Sequence, residues 1–331
     1  MFSQLDPFGP EASPLVLAVA AGVAWLYLRG LRRPRLADGP AGPLRPFLFA
    51  AGMLAIVLSL DAPLSPPAQK LFLVHQIQHL LVRLLGPLLI VLARPWPVLA
   101  AGLPRTWRKS LGRLGARPAV ARARAVFRRL PVAFALLVAS LYLWQVPALH
   151  EAALAAPPLA LAAHGAMVAA GLLFFALILD PRDPPEGASH PLRALALIGV
   201  ILSNILLGSL TTLKENVLYT GYGTGERLWG FAPLADETIG GYTIWVPSSI
   251  LILLTLLILT NGWNAAENRR WAARHGWRGS NSAALEYPET AEELWLKVRD
   301  TNRRTGRTMA VLSLTVFAFV MITVTVLVYA L

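Results

Sequence analysis

Long apolar runs, separated by short basic or polar ones, dominate this 331-residue chain. A helix needs about 20 mostly apolar residues to cross a bilayer. Eight segments reach that length, at 14–30, 45–61, 71–93, 131–149, 158–179, 192–212, 242–260 and 309–331. Strands of a membrane barrel would alternate apolar and polar residues over about ten positions. Leu251–Leu259 and Leu312–Leu331 are continuous instead, so helices are expected. The expected fold is all-α: a single transmembrane domain over 1–331, a polytopic bundle of about eight transmembrane helices. A mean hydropathy of +0.55 is more than an ordinary soluble domain of this length sustains.

The net charge of +12 invites a nucleic-acid reading, but its placement argues against one. Taking the connections between successive runs in order, alternate ones hold five, ten, two and nine Lys or Arg, and those between them hold one, none and two. Arg29, Arg45 and Arg193, at run ends, are counted with the connections, and only Arg83 falls deep inside a run. This is the positive-inside pattern. It predicts both termini outside, with cytoplasmic connections at 94–130 and 261–308. Asp6 and Glu11 precede the first apolar run and arginines follow it, the reverse of a cleavable signal peptide, so the first run is expected to remain as an anchor. Residues 94–130 carry ten basic and no acidic residues, with Trp96 and Trp107. Such a segment suits anionic lipid headgroups, or else a solvated loop. The outer connection 213–241, rich in Gly, Tyr and Thr, has a length often functional when it is irregular.

The absence of cysteine excludes disulfides, iron–sulfur clusters and thiolate sites. Any metal must use His, Met, carboxylate or carbonyl ligands. Four of the six histidines, His75, His79, His150 and His164, fall toward the outer side of the expected bundle. His75, His79 and Arg83 recur at four-residue spacing on one helix face, with Gln76 and Gln78 beside them. Polar groups inside a membrane face the bundle interior and are functional candidates. The pair His75/His79 can chelate one metal ion, bond neighbouring helices, or handle protons. His164 and Met167, at i and i+3, offer an imidazole and a thioether, a set that suits copper, although a Met also simply fills space. His150 beside Glu151 reads as a surface cap or a ligand. Asn204, mid-run, requires an interhelical partner. With every Asp and Glu in a connection or near a helix end, Arg83 is expected to reach inward to the surface or bond backbone carbonyls.

The stretch Phe72-Leu-Val-His-Gln-Ile-Gln-His-Leu-Leu81, followed by Gly86-Pro-Leu-Leu89 and Arg94-Pro95, resembles the signature of the multispanning CtaG-type cytochrome c oxidase assembly factors. Leu143-Trp-Gln-Val-Pro-Ala-Leu-His-Glu-Ala-Ala-Leu154, His164 through Gly171-Leu-Leu-Phe-Phe175, Leu206-Leu-Gly-Ser-Leu-Thr211 with Tyr219 and Tyr222, and Asp236-Glu-Thr-Ile-Gly-Gly-Tyr-Thr-Ile-Trp-Val-Pro247 match in order, over about 45–262. Against the family pattern, Gln145 and Ala160 stand where histidines are common, His150 replaces a Tyr, and Arg83 has no usual counterpart. The resemblance implies a non-catalytic, multi-pass protein of the bacterial plasma (inner) membrane. It would assist copper insertion into a haem–copper oxidase from the outer face. Its partners would be an oxidase subunit or a copper chaperone, together with membrane lipids and no nucleic acid. The candidate copper ligands are His75, His79, His164, His150 and Met167. The alternatives are a redox protein holding b-type haem between histidines such as His79 and His164, and a transporter broken at Gly86-Pro87.

The charge bias makes a direct prediction. Reporter fusions at positions 110 and 285 read cytoplasmic and those at 66 and 228 read periplasmic; one reversed reporter refutes the eight-span topology.

Overall fold

The computed structural model describes residues 13–32, 44–61, 63–182, 186–223 and 228–275, with scattered helical positions between 295 and 318. Regular structure among them is entirely helical. In chain order the helices are α1 (Pro14–Leu31), α2 (Leu44–Leu60), α3 (Ser65–Ala68), α4 (Phe72–Leu92), α5 (Trp96–Gly102), α6 (Arg105–Gly115), α7 (Pro118–Phe127), α8 (Leu130–Tyr142, with a 3₁₀ turn Leu143–Gln145), α9 (Pro147–Ala155), α10 (Pro157–Ile178), α11 (His190–Leu213) and α12 (Pro233–His275). The chain divides into two compact units, Met1–Leu259 and Thr260–Leu331. In the second, the Arg299 guanidinium lies 5.4 Å from the Trp295 ring centre.

Five helices are long and apolar enough to cross a membrane: α1, α4, α10, α11 and the Pro233–Arg269 part of α12. The run at 45–61 forms α2, of 17 residues. The run expected at 131–149 stops as a helix at Gln145, because Pro147 opens a new helix. Read together with α7, from which it bends by 74°, α8 makes a sixth candidate span. The eighth expected run, 309–331, lies largely outside the described residues. The outer connection is shorter than expected, because α12 already begins at Pro233. Pro near the start and Asp236 in the first turn both suit a helix N-terminus.

The helix α4 is the centre of the first unit. Its candidate span is 72% buried inside the protein, against 17–44% for the others, and its polar residues are the reason. His75, Gln76, Gln78, His79 and Arg83 are all buried, as they must be where hydrocarbon offers no hydrogen bonds. Close packing around α4 is achieved with small residues. Gly52 of α2 lies against the Gly86 carbonyl and Ile90, and Gly171 of α10 against the Arg83 carbonyl and Pro87. Below this level Leu84, Leu88, Leu137, Phe174, Phe175, Leu197 and Ile252 form the main apolar core. At the end of α10, the buried Arg193 side chain donates to the carbonyls of Ile178, Asp180, Arg182 and Ala188, which satisfies a helix C-terminus.

Within α4 the Leu81–Leu85 turn is π-helical, and the Gly86 N–H reaches back to the Leu81 carbonyl. Pro87 explains the irregularity: without an N–H it cannot serve the Arg83 carbonyl four residues earlier. The helix continues through Gly86-Pro87 rather than breaking there. Arg83 does not reach the surface. It is 2% exposed, and its Nη2 donates to the Asn204 side-chain oxygen at 3.0 Å. The expectation of inward snorkelling or carbonyl bonding is corrected. A partner amide on α11 costs less than stretching a guanidinium through the apolar core below it.

The Gly171 contact yields a prediction. A side chain there meets the Arg83 backbone, so Gly171→Val destabilises the protein by about 1–3 kcal/mol. Gly165→Ala on the same helix meets nothing and is neutral or stabilising by up to about 1 kcal/mol. Thermal unfolding in detergent measures both.

Candidate metal centre

The four-residue spacing of His75 and His79 places both rings on one face of α4, and α10 brings His164 to the same point. The ring centres of His75 and His79 are 4.4 Å apart, those of His79 and His164 5.5 Å, and those of His75 and His164 6.1 Å. One nitrogen from each lies within 4.8 Å of the others. His75 Nε2 and His79 Nε2 are 2.9 Å apart, so one donates to the other. Two nitrogens that bind one ion at about 2.0–2.1 Å stand roughly 3 Å apart, and an ion can take the place of that shared proton. His164 Nε2 and His79 Nδ1 are buried without a hydrogen-bond partner. Buried imidazole nitrogens without partners are costly, and ligation is one way to occupy them. No carboxylate joins the cluster among the described residues.

His150 is close, its ring centre 4.6 Å from that of His75, but both its nitrogens are engaged. Nδ1 is 2.9 Å from the Trp144 carbonyl and Nε2 is 2.5 Å from the Tyr222 hydroxyl. A carbonyl only accepts, so Nδ1 carries the proton and Nε2 accepts from the phenol. Burial holds this imidazole below its ordinary pKa and pushes the Tyr222 phenol up, which keeps both neutral. Met167, one turn beyond His164 on α10, is fully buried.

A cavity of about 580 Å³ opens on the cluster. His75 and His164 stand in its wall with Gln69 and Gln78, and the remainder is mostly apolar, including Leu60, Leu161 and Ala160. The position where the resembled family commonly has a further histidine is therefore open space beside the imidazoles.

The side chains that hold this arrangement come largely from the α11–α12 connection and the first turn of α12. Leu71, the residue before α4, has no capping side chain. Asp236 caps α4 from another helix: its two oxygens accept from Phe72 N at 2.8 Å and Leu73 N at 2.9 Å. Glu237 accepts from Leu218 N and Tyr219 N, at 3.0 and 2.8 Å, and pairs with Lys214. Tyr219 stacks on Phe72 with ring centres 4.5 Å apart and donates to Gln145. Gln145 in turn donates to Gln76 at 2.6 Å, and Gln78 donates to the Ser59 carbonyl at 2.5 Å. Sequence reasoning listed these residues without their roles. One usable signal was the lack of a Ser, Thr, Asp or Asn before Phe72, which leaves the N-terminus of α4 to be capped from elsewhere.

Asp236→Ala orphans the buried Phe72 N–H and the part-buried Leu73 N–H and lowers stability by about 1–2 kcal/mol. Asp236→Asn, which retains one acceptor, loses less. Thermal unfolding of the detergent-purified variants checks this order.

Two mycobacterial proteins, described as uncharacterized protein Mb0105 of Mycobacterium bovis and uncharacterized protein MT0111 of Mycobacterium tuberculosis, are each 27% identical to this chain over 283 residues. Each alignment covers 80% of this chain and 39% of the relative, so the chain spans about two-fifths of the length of these relatives. No solved structure matches it. The family profile described as cytochrome c oxidase caa3 assembly factor (Caa3_CtaG) matches residues 25–266, a stretch that contains α4, α10 and the outer connection, and the chain belongs to that family.

Proposed function

We propose that this protein is a non-catalytic factor of the bacterial plasma membrane that holds copper at His75, His79 and His164 and passes it, from the outer face, to a haem–copper cytochrome c oxidase under assembly. The observation that carries this reading is the convergence of three buried imidazoles from α4 and α10, with a cavity leading to two of them. Membership of an oxidase assembly family supplies the client. Three neutral nitrogen donors beside Arg83, with no carboxylate, favour a singly charged ion, because each further positive charge is penalised by the arginine and by the low dielectric. Imidazole ligands suit copper, and Cu(I) satisfies both conditions. Met167, one turn from His164, offers a thioether on the same helix face. His150 stays outside the ligand set, occupied by Trp144 and Tyr222. The cavity is the route by which a copper chaperone or an oxidase subunit presents its own ligand.

The geometry fits the two other readings less well. A b-type haem needs its two imidazoles to face each other across the macrocycle, yet His75, His79 and His164 form one compact triangle with ring centres 4.4, 5.5 and 6.1 Å apart, and His75 is bonded to His79 at 2.9 Å. A transporter of the broken-helix type exposes unwound backbone at its site, whereas α4 stays helical through its π turn.

Copper analysis of the purified full-length protein, loaded with Cu(I) under reducing conditions, tests the proposal. About one copper per chain is expected. Loss of even an outer-shell partner weakens metal sites by about 10–100-fold, so His75→Ala/His79→Ala weakens binding by at least that much and impairs oxidase maturation in cells. Arg83→Leu leaves binding no weaker than in the parent protein. Equal copper in the parent and the double variant, or a Soret band in the purified sample, overturns the assignment.

A further inference from the structure

Past α5, whose buried Val98 and Gly102 pack on α1, the segment between α4 and α8 leaves the bundle. It follows Arg94, just after the α4 candidate span, and returns at Leu130, where α8 starts. Within it no residue of α6 or α7 is buried. Exposure alone does not define a binding surface, but the distribution of side chains on α6 does. At 100° per residue, Trp107, Leu111 and Leu114 fall within one narrow stripe, while Arg105, Lys109 and Arg113 occupy the opposite side and Arg108 flanks the stripe. The three apolar side chains are 66%, 52% and 45% exposed. The helix has four basic residues and no acidic one, and the whole stretch 94–130 has no acidic residue.

We propose that α6 is an in-plane anchor that lays Trp107, Leu111 and Leu114 into the interface of the membrane the bundle spans, with its basic side against anionic headgroups. Three features of the chain select this occupant. A narrow apolar stripe centred on a Trp, opposite a polar face whose charges are all positive, is the composition of an interfacial helix. The segment is tethered at both ends by helices that enter the same bilayer, which keeps α6 at that surface without any added partner. Finally, α7 meets the Leu130–Gln145 helix at 74°, so a chain that crosses the membrane along α8 turns nearly parallel to the surface just before it. A second copy of α6 is a poor occupant, because two such helices bring eight like charges together.

The chain contains no cysteine, which allows single-site labelling of the full-length protein without background. Leu111→Cys places a nitroxide on the apolar stripe and Gly112→Cys places one on the basic side, where an added side chain meets nothing. Each is reconstituted in phosphatidylcholine nanodiscs with and without phosphatidylglycerol, and collisions with oxygen and with a water-soluble nickel chelate are measured by electron paramagnetic resonance. The expected result in anionic discs is oxygen-dominated collision at 111 and nickel-dominated collision at 112. In neutral discs the reading at 111 shifts toward nickel, and Arg108→Gln/Lys109→Gln/Arg113→Gln removes the dependence on lipid charge. Nickel-dominated collision at both positions in both discs overturns the proposal in favour of a solvated helix. Low collision with both reagents at 111 overturns it in favour of a protein covering the stripe. Oxygen-dominated collision at 111 that ignores lipid charge overturns the role of the anionic headgroups.

Discussion

A helix that carries His75, Gln76, Gln78, His79 and Arg83 within nine residues cannot face hydrocarbon, and the rest of the first unit is arranged around that constraint. Each of these groups exposed to lipid would cost several kcal/mol, far more than any single apolar contact returns. The solution is to put α4 in the middle and pack small residues around it. Gly52 and Gly171 let α2 and α10 approach its backbone, and Asn204 on α11 gives Arg83 a partner. The π turn at Leu81–Leu85 belongs to the same solution. Pro87 leaves the Arg83 carbonyl without its helical donor, and the packing of Gly171 against that carbonyl fixes where α10 crosses α4. His164, two turns before Gly171 on α10, is thereby set beside the α4 histidines. The irregularity below the cluster and the geometry of the cluster are one feature.

The α11–α12 connection and its neighbours complete the arrangement. Three carboxylates serve as caps: Asp236 at the start of α12 for the start of α4, Glu237 beside it for the backbone at Leu218 and Tyr219, and Glu151 of α9 for Thr220. None of the three joins the imidazole cluster. Acidic groups near an imidazole cluster are ordinarily read as ligands, but here each accepts from backbone N–H donors. Their work reaches the histidines through rings. The Phe72 backbone is held by Asp236 and its ring is stacked on Tyr219, and Tyr222 bonds His150, whose tautomer the Trp144 carbonyl sets, beside His75. A change in this connection therefore acts on the cluster at a distance, by moving the first turn of α4.

What the sequence disclosed followed from patterns of period and charge. Apolar run length placed α1, α2, α4, α10 and α11 with small errors at their ends, and the i, i+4 spacing of His75 and His79 announced a shared face. The gathering of His75, His79 and His164 was also legible, since polar groups in one bundle must find each other. Long-range choices between equivalent partners were not legible. Arg83 had carbonyls, headgroups and Asn204 available, and only the crossing of α4 with α11 decides among them. Nothing local marks Asp236 as the cap of a helix 164 positions earlier. The diversion of His150 depends on where Tyr222 returns from an irregular loop, and no periodicity encodes that. The termination of α8 at Gln145 was readable from Pro147 but lost within a longer apolar run.

Arg83 and the histidines divide α4 into two electrostatic halves. An arginine keeps its charge even when buried, and here its partner is a neutral amide, so the charge stays uncompensated by any carboxylate in that partnership. One turn above it stands His79, one of the three imidazoles proposed to hold an ion. A fixed positive charge at that distance in a medium of low dielectric acts against a highly charged metal, so on that reading it restrains the charge of what the cluster would hold. The same charge bars passage further along α4, because a cation moving inward would meet Arg83 and then the apolar layer of Leu84, Leu88 and Phe174. A cluster open to a cavity on one side and closed by an arginine on the other is the geometry that the proposed carrier role requires, loading and unloading from a single face, and not that of a channel.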